Sequence, residues 1–280
     1  MYTIEPVLLS SVQNNPSRYN VNNDRTHGRP EDYFDFGLKT QTSAWVDQFH
    51  SNYRVINIQA YWLAKAAIPG GMAGIFPRTF SEELTEYLES MTKTFERVFD
   101  GTPYFVRSER TSLKYGVHGA GPYYDLKSII ESLITSIPDH SPLPREPGPV
   151  KLYLFPWLDI NPDTEFRVFV YNGVITAISQ QHLHGVNKSA SDEIIPSWLD
   201  CITRAFTGTI RDMISHLDTY TYDFAILRNG EPYFIEINSF GAAYSAGSAL
   251  FHWTIDREIL TPERPDQQIC FRYVVPTPGT

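Results

Sequence analysis

The stretch Tyr222–Asn238, YDFAILRNGEPYFIEIN, constrains this chain more than any other. Two runs of aromatic and β-branched residues flank Asn229-Gly230, a pair that accepts positive φ at both centres of a tight turn, and this predicts a β-hairpin. A two-residue turn sets the register. Arg228 then faces Glu231, Ala225 faces Phe234 and Asp223 faces Glu236, with Asn238 on the same face as Glu236. Two carboxylates directly opposed repel unless a cation or a proton sits between them. With the amide oxygen of Asn238 they form a hard, all-oxygen donor set suited to Mg²⁺ that also carries phosphate ligands. The competing reading is a solvated acidic hairpin face. Tyr222, Phe224, Phe234, Ile235 and Ile237 argue instead for a half-buried sheet.

A second hairpin rests on the same logic: EFRVFVY, the turn Asn172-Gly173, then VITAISQQ. Counting outward puts Arg167 opposite Ile178 and Glu165 opposite Gln180, with Glu165, Arg167 and Thr176 on one face. Between the hairpins, Asp192 to about Leu217 reads as one amphipathic helix carrying Ile195, Trp198, Leu199, Ile202, Phe206, Met213 and Ile214. If both hairpins share a sheet covered by that helix, the other face carries Glu165, Arg167, Asp223, Glu236 and Asn238. A guanidinium among acids is what metal-bound phosphates require.

Upstream, Ser81 with Glu82 and Glu83 reads as a helix start, leading into a face of Leu84, Leu88, Met91, Phe95 and Val98. The short strand PYFVR leads into a loop holding Arg107, Arg110 and Lys114, and Asp125 caps a further helix. Such a loop is ordinarily just solvated; paired with the acidic hairpin it becomes a second phosphate-binding jaw. Residues 1–45 show no period of 2 or 3.6 and read as an irregular arm or lid. The Gly-rich segment Pro69–Gly74 matches no P-loop and reads as a connector. The Pro-rich run PDHSPLPREPGP marks a boundary between residues 1–149, an arm plus a smaller lobe, and residues 150–280, the lobe with the metal and phosphate site. VKLYLFPW then reads as a buried strand, and QICFRYVV near the C-terminus adds a last one. Helices and short strands, then hairpin, helix and hairpin, indicate α+β with antiparallel sheets.

Composition excludes several classes. A net charge of −9 argues against non-specific binding to nucleic acid or to an anionic membrane. Cys201 and Cys270 are too few and too scattered for a disulfide framework, and the N-terminal MYTIEPVLLSSVQ lacks the basic and apolar regions of a signal peptide. A reducing, cytoplasmic setting is expected. Ser10 and Ser11 lack a catalytic partner, and His182, His184, His216 and His252 do not fall at zinc-site spacings.

Four blocks in order, SERTSLKYG, LYLFPW with EFRVFVYNGVITAISQ, YDFAILRNGEPYFIEINSFG, and SALFHW, resemble the cell division cycle protein 123 family, a group with the ATP-grasp fold. The resemblance runs from about Tyr104 to Trp253. It implies two α+β lobes enclosing ATP and Mg²⁺, with Asp223, Glu236 and Asn238 as metal ligands and Arg167 as a phosphate contact. Lys114 matches a family lysine that reaches the phosphates, and Arg107 a second basic position. The backbone of Phe155, Pro156 and Trp157 corresponds to the hinge that hydrogen-bonds adenine. Glu236 stands where the family has Asp, Ser239 where it has Pro, and Ala246-Gly247 where it has Thr-Asp. The implied role is nucleotide-dependent assembly of a protein partner, an initiation-factor complex. The alternative within the superfamily is a ligase that phosphorylates a small carboxylate and passes the acyl group to an amine or other nucleophile, with Arg167 and Lys114 as catalytic residues.

Overall fold

The computed structural model describes residues 2–21, 29–59, 63, 82–137, 140–143, 148–264 and 268–279. The Gly-rich connector and the Ser81 helix start lie outside these residues. Among the described residues nine strands run in chain order: β1 Tyr2–Leu8, β2 Arg54–Gln59, β3 Tyr104–Arg107, β4 Pro149–Pro156, β5 Glu165–Tyr171, β6 Val174–Gln180, β7 Tyr220–Ile226, β8 Pro232–Asn238 and β9 Ile269–Val275. They form two sheets, a six-stranded one ordered β1-β9-β6-β5-β7-β8 and a three-stranded one ordered β2-β4-β3. Pairing is antiparallel except at β1–β9 and β6–β9, which are parallel. The α+β class with antiparallel sheets expected from the sequence holds.

Compact units track the sheets rather than chain order. One unit comprises Met1–Phe49 with Ile160–Thr280, and the other His50–Asp159. The sequence alone suggests a break between residues 149 and 150. In the fold β4 pairs on both sides within the three-stranded sheet, while the N-terminal residues join the six-stranded one.

Those N-terminal residues are not an irregular arm throughout. Tyr2–Leu8 is an edge strand, and short helices span Leu9–Asn14, Tyr33–Thr40 and Val46–Phe49. Pro6 hides the strand from a pattern search, because proline is tolerated in strands chiefly at sheet edges, where β1 lies. Tyr33 and Phe36 pack on Tyr244, and Trp45 and Phe49 on Phe234.

The helix between the hairpins begins at Ile195, with Pro196 in its first turn, and runs to Met213 through a π-turn at Phe206–Ile210. Ile202, Phe206, Ile210 and Ile214 are buried and spaced four apart. A four-residue repeat precesses around a helix of 3.6 residues per turn, and one wide turn absorbs the excess. Met213, expected on the buried face, is exposed, and Ile210 takes its place. This helix covers one face of the sheet, where Phe166 meets Trp198 and Tyr222 stacks on Phe206.

In the smaller unit, Asp125 caps the helix Leu126–Thr135 by accepting from Ser128 N–H at 2.7 Å, and Leu126, Ile129, Ile130, Leu133 and Ile134 enter the core as expected. The loop before it packs so closely on this helix that a Cβ on Gly116 would lie 2.4 Å from the carbonyl oxygen of Ser132. Among the described residues no helix is long and apolar enough to cross a membrane.

Candidate functional site

Both hairpins lie in the six-stranded sheet, and the face opposite the Ile195–Met213 helix carries the polar residues. In the first hairpin Asp223 is opposite Glu236, but by an unexpected route. The turn holds Arg228, Asn229 and Gly230, since Leu227 N–H donates to Glu231 O at 2.9 Å and only Gly230 has positive φ. That longer turn shifts the register by one, so Phe224 rather than Ala225 faces Phe234. A bulge beside Asp223 then takes up Ile235 and restores the count. In the second hairpin the Asn172-Gly173 turn has positive φ at both residues as expected. A bulge between Phe169 and Val170 moves the pairs farther from the turn by one position, and Arg167 faces Ser179 instead of Ile178.

The consequence is one continuous row of direct cross-strand neighbours across the sheet: Glu5, Arg272, Ser179, Arg167, Asp223, Glu236. Asn238 stands two residues along β8 from Glu236, on the same face.

At the centre of this row Arg167 and Asp223 are both buried. Arg167 Nε and Nη2 donate to Asp223 Oδ1 and Oδ2, each at 2.8 Å, and Nη1 donates to Gly247 O at 2.9 Å. Gln181 Nε2 donates to Asp223 Oδ2 at 3.2 Å, and Asn238 Nδ2 donates to Asp223 Oδ2 at 3.4 Å and to Glu236 Oε1 at 3.2 Å. Burial pushes the Asp223 carboxyl up against the pull of Arg167, and the charge of Glu236 adds to the rise. For Arg167 burial opposes the charge, yet the ion pair with Asp223, then Glu236 and Glu165, hold its pKa above the ordinary value. Asn238 thus bridges the two like-charged carboxylates on adjacent strands, while Arg167 and Gln181 hold Asp223.

Gln181 and the Gly247 carbonyl are contacts that the sequence does not announce. Gln181 lies just past the last residue of β6, where strand alternation gives no guide, and a carbonyl from a loop leaves no signature in side-chain pattern.

The other expected site residues belong to the smaller unit. Arg107 is buried at the end of β3, paired in register with Tyr153. Lys114 is exposed on the next loop, its Nζ 5.5 Å from the centroid of the Tyr115 ring. Phe155 is buried opposite Phe105, Pro156 is opposite Tyr104, and Trp157 N–H donates to Pro103 O at 2.8 Å, which commits that donor to the β3 side.

Two units on mainly antiparallel sheets, the larger sheet carrying a row of carboxylate, guanidinium and amide side chains, define a protein of the α+β class. The fold is that of Cdc123 from Schizosaccharomyces pombe, with a TM-score of 0.61 at 16% identity over 90% of this chain and 100% of that one. A C-terminally truncated form of the same protein gives 0.57 at 17% identity, covering 87% and 98%. A D123 family model matches residues 124–278, more than half of the chain, and the chain belongs to the D123 family. A translation initiation factor eIF2 assembly protein from Lodderomyces elongisporus is 29% identical over 127 residues, which is 44% of this chain and 32% of that protein. The matched part therefore spans about a third of the relative's length.

Proposed function

We propose that this chain binds ATP with Mg²⁺ at the β8 side of the charged row on the six-stranded sheet, where Glu236 and Asn238 are only half-buried, and uses the nucleotide to assist assembly of a protein complex. The observation that carries the reading is the row Arg167, Asp223, Glu236 with Asn238, where two carboxylates and an amide meet a guanidinium on adjacent strands. Asp223, Glu236 and Asn238 are the proposed ligands of Mg²⁺, with Asn238 turning its carbonyl oxygen toward the ion. Bound Mg²⁺ screens the phosphate charge, and Arg167 supplies the fixed positive charge beside it. By resemblance to the family, Lys114 and Arg107 are assigned to the phosphates and the backbone of Phe155–Trp157 to adenine. The partner proposed is a protein complex of the kind named for the Lodderomyces relative, an initiation factor.

Thermal and chemical unfolding with and without Mg-ATP tests the nucleotide. Linkage predicts a gain of roughly 2–3 kcal/mol at a hundredfold excess over Kd. No gain at millimolar Mg-ATP overturns the reading. Co-purification with initiation-factor subunits, strengthened by Mg-ATP, is expected. ADP release that requires a small carboxylate and an amine would replace assembly by ligation.

A further inference from the structure

The row across the sheet does not stop at Arg167. Beyond Ser179 it reaches Arg272, whose Nε donates to Glu5 Oε2 at 2.8 Å and whose Nη1 donates to Asp256 Oδ2 at 2.9 Å. Asp256 is buried and also accepts two bonds from Arg18, Nη1 to Oδ2 at 2.7 Å and Nη2 to Oδ1 at 2.8 Å. Two residues of the N-terminal segment therefore enclose this second charged cluster.

The same segment grips the loop between Gly247 and Asp256. Asn20 N–H donates to Ala249 O at 2.7 Å, and Val21 N–H to Ser248 Oγ at 2.9 Å. Ser248 Oγ in turn donates to Phe251 O at 2.6 Å, Leu250 N–H donates to Ser179 Oγ at 3.1 Å, and His252 N–H donates to Asp256 at 2.8 Å. Ala249 is held at φ +49, a left-handed conformation that a non-glycine residue keeps only when its surroundings impose it. This braced loop presents Gly247 O to Arg167 Nη1. Without that acceptor the third arm of the Arg167 fork is unheld, and the guanidinium is fixed by Asp223 alone.

We propose that Arg18 is a positioning residue for the nucleotide site: through Asp256 it clamps the Gly247–Asp256 loop, whose Gly247 carbonyl orients the Arg167 guanidinium. The inference rests on the Mg-ATP reading. It gives the N-terminal segment, which lies outside the residues matched by the D123 model, a part in the larger unit's site.

The test compares Mg-ATP affinity by titration calorimetry in wild type, Arg18→Ala, Arg18→Lys and Ser248→Ala, each at a temperature where circular dichroism shows it folded. Positioning through an ion pair and one loop predicts that Arg18→Ala raises Kd roughly three- to thirtyfold. Arg18→Lys, which keeps the charge but not the two-pronged geometry, falls between Arg18→Ala and wild type. Ser248→Ala raises Kd in the same direction, and it decides the matter if Arg18→Ala does not fold. An Arg18→Ala or Ser248→Ala protein that melts lower yet binds Mg-ATP with wild-type Kd overturns the positioning role and leaves the nucleotide reading standing. Wild type that binds no Mg-ATP overturns both.

Discussion

Arg167 and Asp223 face each other across β5 and β7 and are joined by a two-pronged ion pair, both distances 2.8 Å, in the buried middle of the sheet. Removing one partner strands the other charge. Asp223→Asn is therefore expected to lower the stability of the larger unit by about 3–5 kcal/mol, whereas the paired change Arg167→Met with Asp223→Leu costs less than the single one. Urea unfolding of both variants checks this. A double variant as unstable as the sum of its singles would contradict the account.

Asp223 is for that reason a poor position at which to probe a metal, because loss of binding and loss of fold coincide there. Glu236 and Asn238 are half-buried on the edge strand β8 and serve better. Glu236→Gln and Asn238→Ala are expected to leave the melting temperature within a few degrees. Glu236→Gln takes the charge from one proposed ligand and Asn238→Ala the oxygen from another, so Mg-ATP affinity falls about tenfold or more, with little change in the weak binding of ATP measured in excess chelator. Calorimetric titrations with and without Mg²⁺ make the comparison. Equal losses in both conditions would assign these side chains to the nucleotide rather than to the ion.

The legible part of this site was the part written in local pattern. The pairing of Asp223 with Glu236 was readable from turn residues and alternation, yet it holds because a longer turn at Arg228–Gly230 and a bulge at Ile235 cancel. Where a bulge stood uncancelled, in the second hairpin, counting from the turn missed by one residue and set Arg167 opposite Ile178 instead of Ser179. Bulges depend on how a strand fits its neighbours on both sides, which one hairpin's sequence does not carry. The cluster of Glu5, Arg18, Asp256 and Arg272 was invisible for a different reason. Its members are joined by tertiary contacts spanning up to 267 positions, and none stands in a local motif.

At Gly116 the loop carrying Lys114 lies against the helix Leu126–Thr135. An added Cβ would lie 2.4 and 2.5 Å from backbone atoms of Ser132, which cannot swing aside as a side-chain tip would. Gly116→Ala is expected to destabilise the smaller unit by about 1–3 kcal/mol, the ordinary range for overpacking. Hydrogen exchange of the amides in Leu126–Thr135 reads the effect locally. Unchanged protection there would mean that the loop can lift away at little cost.

Asp256 contributes a pH dependence to the stability of the larger unit. Burial favours its neutral form, but hydrogen bonds from Arg272 and Arg18 outweigh that and hold its carboxyl below the ordinary carboxylate value. A carboxyl depressed in the folded state binds its proton more readily when unfolded. Its contribution is therefore complete above the unfolded pKa and is lost as pH falls from about 5 toward the depressed folded value. Asp256→Asn removes the titrating group and leaves Arg272 and Arg18 facing a neutral amide. The variant is expected to be less stable than wild type at neutral pH, with the difference narrowing steadily below about pH 5. Urea midpoints for the two proteins measured across that range test the sign: a difference that stays constant, or widens in acid, would place the titration on another group.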